Sequence, residues 1–153
     1  MDSQKKCSRF VVAQFCDDIR QEVGNKFSYI GCYSGEMIVD NLPATLPKLG
    51  VLVHIFTSKE CPFSRLIVRA LMSDEVVAEL EMPITKMADE FERKAAATEL
   101  DRIAAQAMLL LSPLVVVEPC KIRIEVETED GVIRGSYLNI RERTPEESLL
   151  KNP

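Results

Sequence analysis

Through most of this chain, apolar and polar positions alternate with a period of two. Leu66, Val68, Ala70 and Met72 alternate with Ile67, Arg69 and Leu71, and Val76, Ala78, Leu80 and Met82 alternate with Val77, Glu79 and Glu81. Period-two alternation gives each strand one apolar face. The two runs predict a hairpin turning at Ser73-Asp74-Glu75, with Met72 opposite Val76 and Arg69 opposite Glu79, so that core meets core and charge meets opposite charge. Ile122, Ile124 and Val126 alternate with Lys121, Arg123, Glu125 and Glu127 in the same way. The turn at Glu129-Asp130-Gly131 returns the chain along 132–141 and sets Glu127 opposite Arg134.

Other stretches are apolar without alternation. Phe10–Phe15 (FVVAQF) reads as a central strand covered on both faces. Val51–Thr57 (VLVHIFT) is a further strand, and Met108–Leu111 a buried one stopped by Ser112-Pro113. Val115–Val117 is a short strand. Between Phe10–Phe15 and a second strand, Phe27–Tyr33, lies a polar segment with Asp17, Asp18, Arg20, Glu22 and Lys26, and Gly24-Asn25 is its turn. These five charged residues predict a structural ionic cluster in which Arg20 and an acidic neighbour join the first two strands. Met37–Val39 is a short third strand. Asn41–Pro47, with two prolines, is an extended crossover without ladder bonds that tucks Leu42 and Leu46 inward.

Residues 85–106 break the pattern. Lys86–Ala97 is built from strong helix formers, and Met87, Phe91 and Ala95 recur at i, i+4 and i+8 as one helical stripe. The expected fold is therefore mainly β: an immunoglobulin-like β-sandwich of about eight or nine strands with one helical insertion at about 85–106. It forms a single domain over 9–142, with polar tails at 1–8 and 143–153 and a short helical turn in the second tail.

Composition narrows the function. A chain of 153 residues buries enough surface to need no staple. A net charge of −5 opposes general nucleic-acid binding. Five scattered cysteines without a C-x-x-C pair, beside one histidine, exclude a zinc site of familiar spacing and predict a reduced, cytoplasmic protein. The longest apolar run is too short to span a membrane.

Candidate chemistry is sparse. Asp17 and Asp18 have the character of metal ligands, but calcium asks for about seven oxygens drawn from several loops. Pairing with Arg20 or Lys26, or backbone capping, is the simpler reading. His54 with a cysteine would make a nucleophile–base dyad, yet it stands mid-strand between apolar neighbours, where a hydrogen-bonded strand histidine is expected. There is no nucleophile elbow, phosphate loop or dinucleotide fingerprint. The reading is of no enzyme, no cofactor and no metal.

The segment CDDIRQEVGNKFSYIGCYSG followed by LPATLPKLGVLVHIFT resembles an uncharacterised domain family of bacteria and their phages, over residues 10–82 and more loosely 107–141. That resemblance implies an immunoglobulin-like sandwich and no assigned activity. The leading expectation is a non-catalytic protein-binding module, in its phage version acting on a host protein, with no nucleic-acid or membrane partner. Its candidate surface is Met87, Phe91, Leu100 and Ile103, covered by a protein partner or by a second copy in a two-fold dimer. Two alternatives are a calcium- or membrane-associating sandwich of the C2 type and a Cys/His54 hydrolase.

Overall fold

Ile122, Ile124 and Val126 are fully buried while Arg123, Glu125 and Glu127 between them are not, so this strand lies over a core with its other side to water. The same rule, repeated, builds the molecule. The computed structural model describes residues 7–150. Its strands are β1 (Phe10–Glu22), β2 (Lys26–Cys32), β3 (Glu36–Val39), β4 (Ala44–Leu46), β5 (Leu49–Ser58), β6 (Leu66–Met72), β7 (Glu75–Glu81), β8 (Arg102–Leu111), β9 (Leu114–Val116), β10 (Cys120–Thr128) and β11 (Gly131–Glu142). Helix α1 (Ile84–Ala97) leads from β7 to β8, and α2 (Pro145–Leu149) follows β11.

The strands form a β-sandwich. One sheet runs β2-β1-β5-β8, the other β3-β11-β10-β6-β7, and β4 and β9 make a two-stranded annex. The inward side chains of the two sheets, among them Phe15, Val53, Ile55, Val68, Ile124 and Leu138, make one continuous core. At one edge β1 passes close to β11. Gly135 permits this approach, since a Cβ there would stand 2.8 Å from Val11 Cγ1, and Ser136 Oγ accepts from the Ala13 N–H at 3.1 Å.

Several expectations shift by a register or a boundary. Arg69 does face Glu79, but the turn is Ser73-Asp74, both at positive φ, and a bulge after Ala70 sets Met72 opposite Glu75 and Leu71 opposite Val76. In the second hairpin the turn falls one residue earlier than Asp-Gly predicts, so Glu127 faces Val132 and Arg134 faces Glu125. Residues 44–46 are not a bare crossover: they pair with β9, while Leu42 and Leu46 do pack against the core.

The largest difference lies at 98–106. The helix stops at Ala97, where Thr98 turns extended, and residues 102–106 begin a strand. Helix propensity loses there to a ten-pair ladder with β5, from Leu49–Leu111 to Ser58–Arg102, which buries Ile103, Ala105, Ala107, Leu109 and Leu111 on one face. Among the described residues the strands therefore number eleven. Phe91 on α1 is core: it meets Phe63 with ring centroids 6.1 Å apart and is buried with Met82 and Ile103.

The second polar tail is held to the sandwich over its described residues. At the end of β11, Arg141 grips Glu36 on β3 at 2.8 Å and Glu147 on α2 at 2.8 Å, and Thr144 and Glu147 close a capping box on α2. The tail expectation for 1–6 and 151–153 falls outside the described residues. No helix among the described residues is long and apolar enough to cross a membrane. The chain is not wholly reduced, because Cys7 and Cys61 are joined in a disulfide with Cα atoms 6.0 Å apart.

Because Phe91 is buried between α1, Phe63 and Ile103, Phe91→Ala should lower the unfolding free energy by about 3–5 kcal/mol, read from urea denaturation. A loss under about 1 kcal/mol would mean that the helix face does not hold the core.

Candidate interaction surface

The two sheets treat water differently. On the outer face of β3-β11-β10-β6-β7, charges pair in a lattice. Arg69 bridges Glu79 and Glu127 at 2.6 Å each, Arg65 reaches Glu127 at 2.7 Å, and Arg123 spans Asp74 at 2.5 Å and Glu125 at 3.0 Å. The hydrogen bond from Arg69 holds the Glu127 carboxyl below its ordinary range. Such pairs are worth little each, but they keep the face solvated.

The outer face of β1-β5-β8 has almost no charge. Its cross-strand rows are Phe10–Phe56–Ala104, Val12–His54–Gln106 and Gln14–Leu52–Met108, ending at Cys16–Gly50–Leu110. Phe10, Val12, Met108 and Leu110 are 41–60% exposed. The Phe10 and Phe56 rings stack, with centroids 4.6 Å apart and planes at 14°, and the Arg102 guanidinium lies 5.2 Å from the Phe10 ring centre. Beside this stack a groove of about 480 Å³ opens, lined by Phe10, Phe56, Leu100, Arg102 and Ala104 among others. His54 belongs to this face: its ring lies against Phe56 at 6.2 Å, and its cross-strand neighbours are Val12 and Gln106, not a cysteine.

One end of the sandwich is closed by Arg9, whose side chain is only 4% exposed. Its guanidinium donates to Thr57 Oγ1 at 3.2 Å and to the Cys61 carbonyl at 3.4 Å, lies 4.7 Å over the Phe63 ring, and pairs with Glu129 and with Asp130 at 3.0 Å. Glu129 also accepts from the Ser64 and Arg65 backbone N–H groups at 3.2 Å. Burial pushes the Glu129 carboxyl up, but the Arg9 bond and the backbone donors outweigh it and leave the carboxyl below its ordinary range. The Cys7–Cys61 bond sits beside this cluster, Cys7 just ahead of Arg9 in the chain and Cys61 being the residue whose carbonyl Arg9 binds.

The polar segment is not a junction inside the fold but an arm. Past Cys16, β1 pairs with β2 alone, from Asp18–Ile30 to Glu22–Lys26, turning through Gly24 and Asn25 at positive φ. Arg20 is 65% exposed and bonds Asp18 on its own strand, so it does not join the strands. Asp18 instead ties the arm to Lys48 at 2.5 Å, and the Lys48 and Arg20 bonds lower its pKa. Across the arm, Ser28 donates to Glu22 at 2.9 Å and the Tyr33 hydroxyl donates to Asp17. Burial and Asp17 together push the Tyr33 hydroxyl above its ordinary pKa. Gly31, at φ +66°, is what lets the Asp17 carboxylate lie over the strand. No ion pair of Lys26 enters this cluster among the described contacts; its place is the closing pair with Glu22.

Of the four apolar residues marked by the helical pattern, Phe91 and Ile103 are buried, Met87 packs half-buried against the core, and Leu100 alone is exposed, in the groove beside Phe10. The helix face is thus turned inward, and the apolar surface lies on the neighbouring sheet. Phe10–Phe15 and Met108–Leu111 are not covered on both faces as their apolar runs predict, since Phe10, Val12, Met108 and Leu110 stand open on the outer side. Their signal was the unbroken apolar run, which marks strands that are apolar on both faces. Arg9 gave no signal at all, since its partners lie 48 to 121 positions away. No family model and no curated protein matches the chain.

Arg9→Ala should cost about 3 kcal/mol, because it strands a part-buried carboxylate, whereas Arg20→Ala should cost less than about 0.5 kcal/mol. The Glu129 pKa is depressed on folding, so its contribution is full above the ordinary carboxyl value of 4.5 and is lost as pH falls through the lower folded value. The stability gap between wild type and Glu129→Gln, measured by urea denaturation, should therefore be constant from neutral pH down to about 5 and shrink on further acidification. A gap that widens in acid would contradict the Arg9 pairing.

Proposed function

We propose that this chain is a non-catalytic protein-interaction domain that binds through the outer face of β1-β5-β8, and that the occupant of this face is a second copy of the chain. The observation that supports it is the difference between the two outer faces of one sandwich. The same chain laces one sheet with ion pairs and leaves on the other Phe10, Val12, Met108 and Leu110 largely open to water. Contiguous apolar surface of this kind marks association sites in soluble domains.

Charge favours self-association. The chain carries a net −5, so two copies repel over most of their surface. The rows from Phe10 to Leu110 carry no acidic residue, so two copies can meet there without opposing like charges. A two-fold contact places the same patch on both sides, and an uncharged apolar patch is complementary to itself. In such a pair the charged sheets remain outermost. The Cys7–Cys61 bond favours an oxidising compartment over the reduced cytoplasm as the place where this happens.

Light scattering on a dilution series should report a dimer that dissociates. Val12→Glu with Leu110→Glu should give a folded monomer, with circular dichroism of the wild type and a dimer Kd raised at least about 100-fold, equivalent to about 2.7 kcal/mol. A wild type that stays monomeric at its highest soluble concentration would overturn the second copy as occupant. A folded double variant with undiminished dimerisation would overturn the face.

A further inference from the structure

Two cysteines outside the Cys7–Cys61 bond stand directly across from each other. Cys16 on β1 is the register partner of Cys32 on β2, and both are thiols in this structure. The ladder type at this position follows from one bond. The Tyr33 N–H donates to the Phe15 carbonyl at 2.9 Å, so 15/33 is a hydrogen-bonded pair and the next pair, 16/32, is a non-hydrogen-bonded one. Cα atoms in such pairs lie about 4.5 Å apart, with both side chains on one face, at the short end of the range a disulfide spans. Many facing pairs in sheets are apolar or polar by chance; a facing pair of cysteines at the root of a two-stranded arm is a specific arrangement.

The two sulfurs differ in access. Cys32 is exposed, whereas Cys16 is fully buried, its Sγ 3.7 Å from the Gly50 carbonyl in the space that glycine leaves open. Burial first, and then Cys32, Asp17 and Asp18, push the Cys16 thiol above its ordinary pKa. An incoming oxidant therefore meets Cys32, and Cys16 waits beside it. Among the described residues no cation lowers the Cys16 thiol, so it gains reactivity only by proximity to a sulfur already activated on Cys32.

We propose that Cys16 and Cys32 are a reversible dithiol–disulfide site that reacts with low-molecular-weight disulfides of the glutathione class, Cys32 being the attacking and Cys16 the resolving thiol. The Cys32 thiolate attacks one sulfur of the small disulfide; the S–S bond of that disulfide breaks, and one small thiolate leaves and takes a proton from water. Cys16 then rotates from Gly50 towards β2, gives its proton to solvent base, and attacks Cys32 Sγ. The mixed S–S bond breaks and the second small thiol departs. Two protein thiols and one small disulfide become one protein disulfide and two small thiols, so electrons and protons balance. Closure pins β1 to β2 where β1 leaves β5, and so orders the arm from Asp18 to Ile30. Because Cys32 stays at the surface, excess small thiol reopens the bond.

The full chain is equilibrated in buffers of varied oxidised-to-reduced glutathione ratio, free thiols are alkylated, and tryptic peptides are read by mass spectrometry. The Cys16 peptide (10–20) and the Cys32 peptide (27–48) should become linked as the ratio rises and separate as it falls. In Cys16→Ala, glutathione should remain on Cys32 at least about tenfold more than in wild type, because no resolving thiol is present. Amide exchange in the arm should slow in the linked form. Equal glutathione retention in wild type and Cys16→Ala, or no linked peptide at any ratio, would overturn the proposal. Cys32→Ala, whose change lies at an exposed position, supplies the control: Cys16 alone should take up no glutathione in the folded chain, and uptake there would overturn the assigned order of attack.

Discussion

The arrangement turns on one buried cation. Arg9 enters the sandwich just before β1 and brings a charge to a place where its side chain is only 4% exposed, and a buried charge is tolerated only when its partners are fixed around it. Those partners come from three distant parts of the chain: Thr57 near the end of β5, the Cys61 carbonyl and the Phe63 ring in the following loop, and Glu129 and Asp130 in the β10–β11 turn. Each partner is useless to Arg9 unless the others are in place. The start of one sheet, a loop and the turn of the other sheet are thereby held in one relation, and the Cys7–Cys61 bond closes the same end covalently.

From that fixed end the sandwich grades into freedom at the other. Near Arg9, β1 is flanked by β5 on one side and approaches β11 at Gly135. Past Cys16 it keeps β2 alone as a strand partner, and is tied back by the Lys48–Asp18 bond and by Ile19 lying over Gly50. A two-stranded ribbon has marginal stability by itself, so the arm depends on side-chain bonds such as Tyr33–Asp17 and Ser28–Glu22. The cysteine pair stands at the boundary between the two regimes, where a covalent link has the most backbone left to order.

Helix α1 performs a different task from the one its pattern invites. An amphipathic stripe needs a surface, and the surface nearest to hand is the side of the sandwich between β7 and β8, where Phe91 finds Phe63 and Ile103. Burying the stripe there completes the core. The apolar surface that remains is consequently a sheet face and not a helix stripe.

Sequence alone determined the class of fold, since period-two alternation in 66–82 and 120–141 leaves no stable arrangement but antiparallel strands over a shared core. It also determined that Arg69 meets Glu79 and that Gly24-Asn25 turns the first hairpin, because both follow from contacts within a few residues. It predicted two-sided burial for Phe10–Phe15 from an apolar run that is real, but the outer side of that strand is open, with Phe10 and Val12 exposed. Tertiary structure alone decided the rest. The fate of 102–106 depended on a ladder with β5, fifty residues away in the chain. The bulges after Ala70 and at Arg123–Glu125 moved single residues across a pairing that local pattern could not resolve. Arg9, Glu129 and the Cys7–Cys61 pair were invisible for the same reason: local sequence encodes which way a side chain points, and only the closed fold encodes what it meets there.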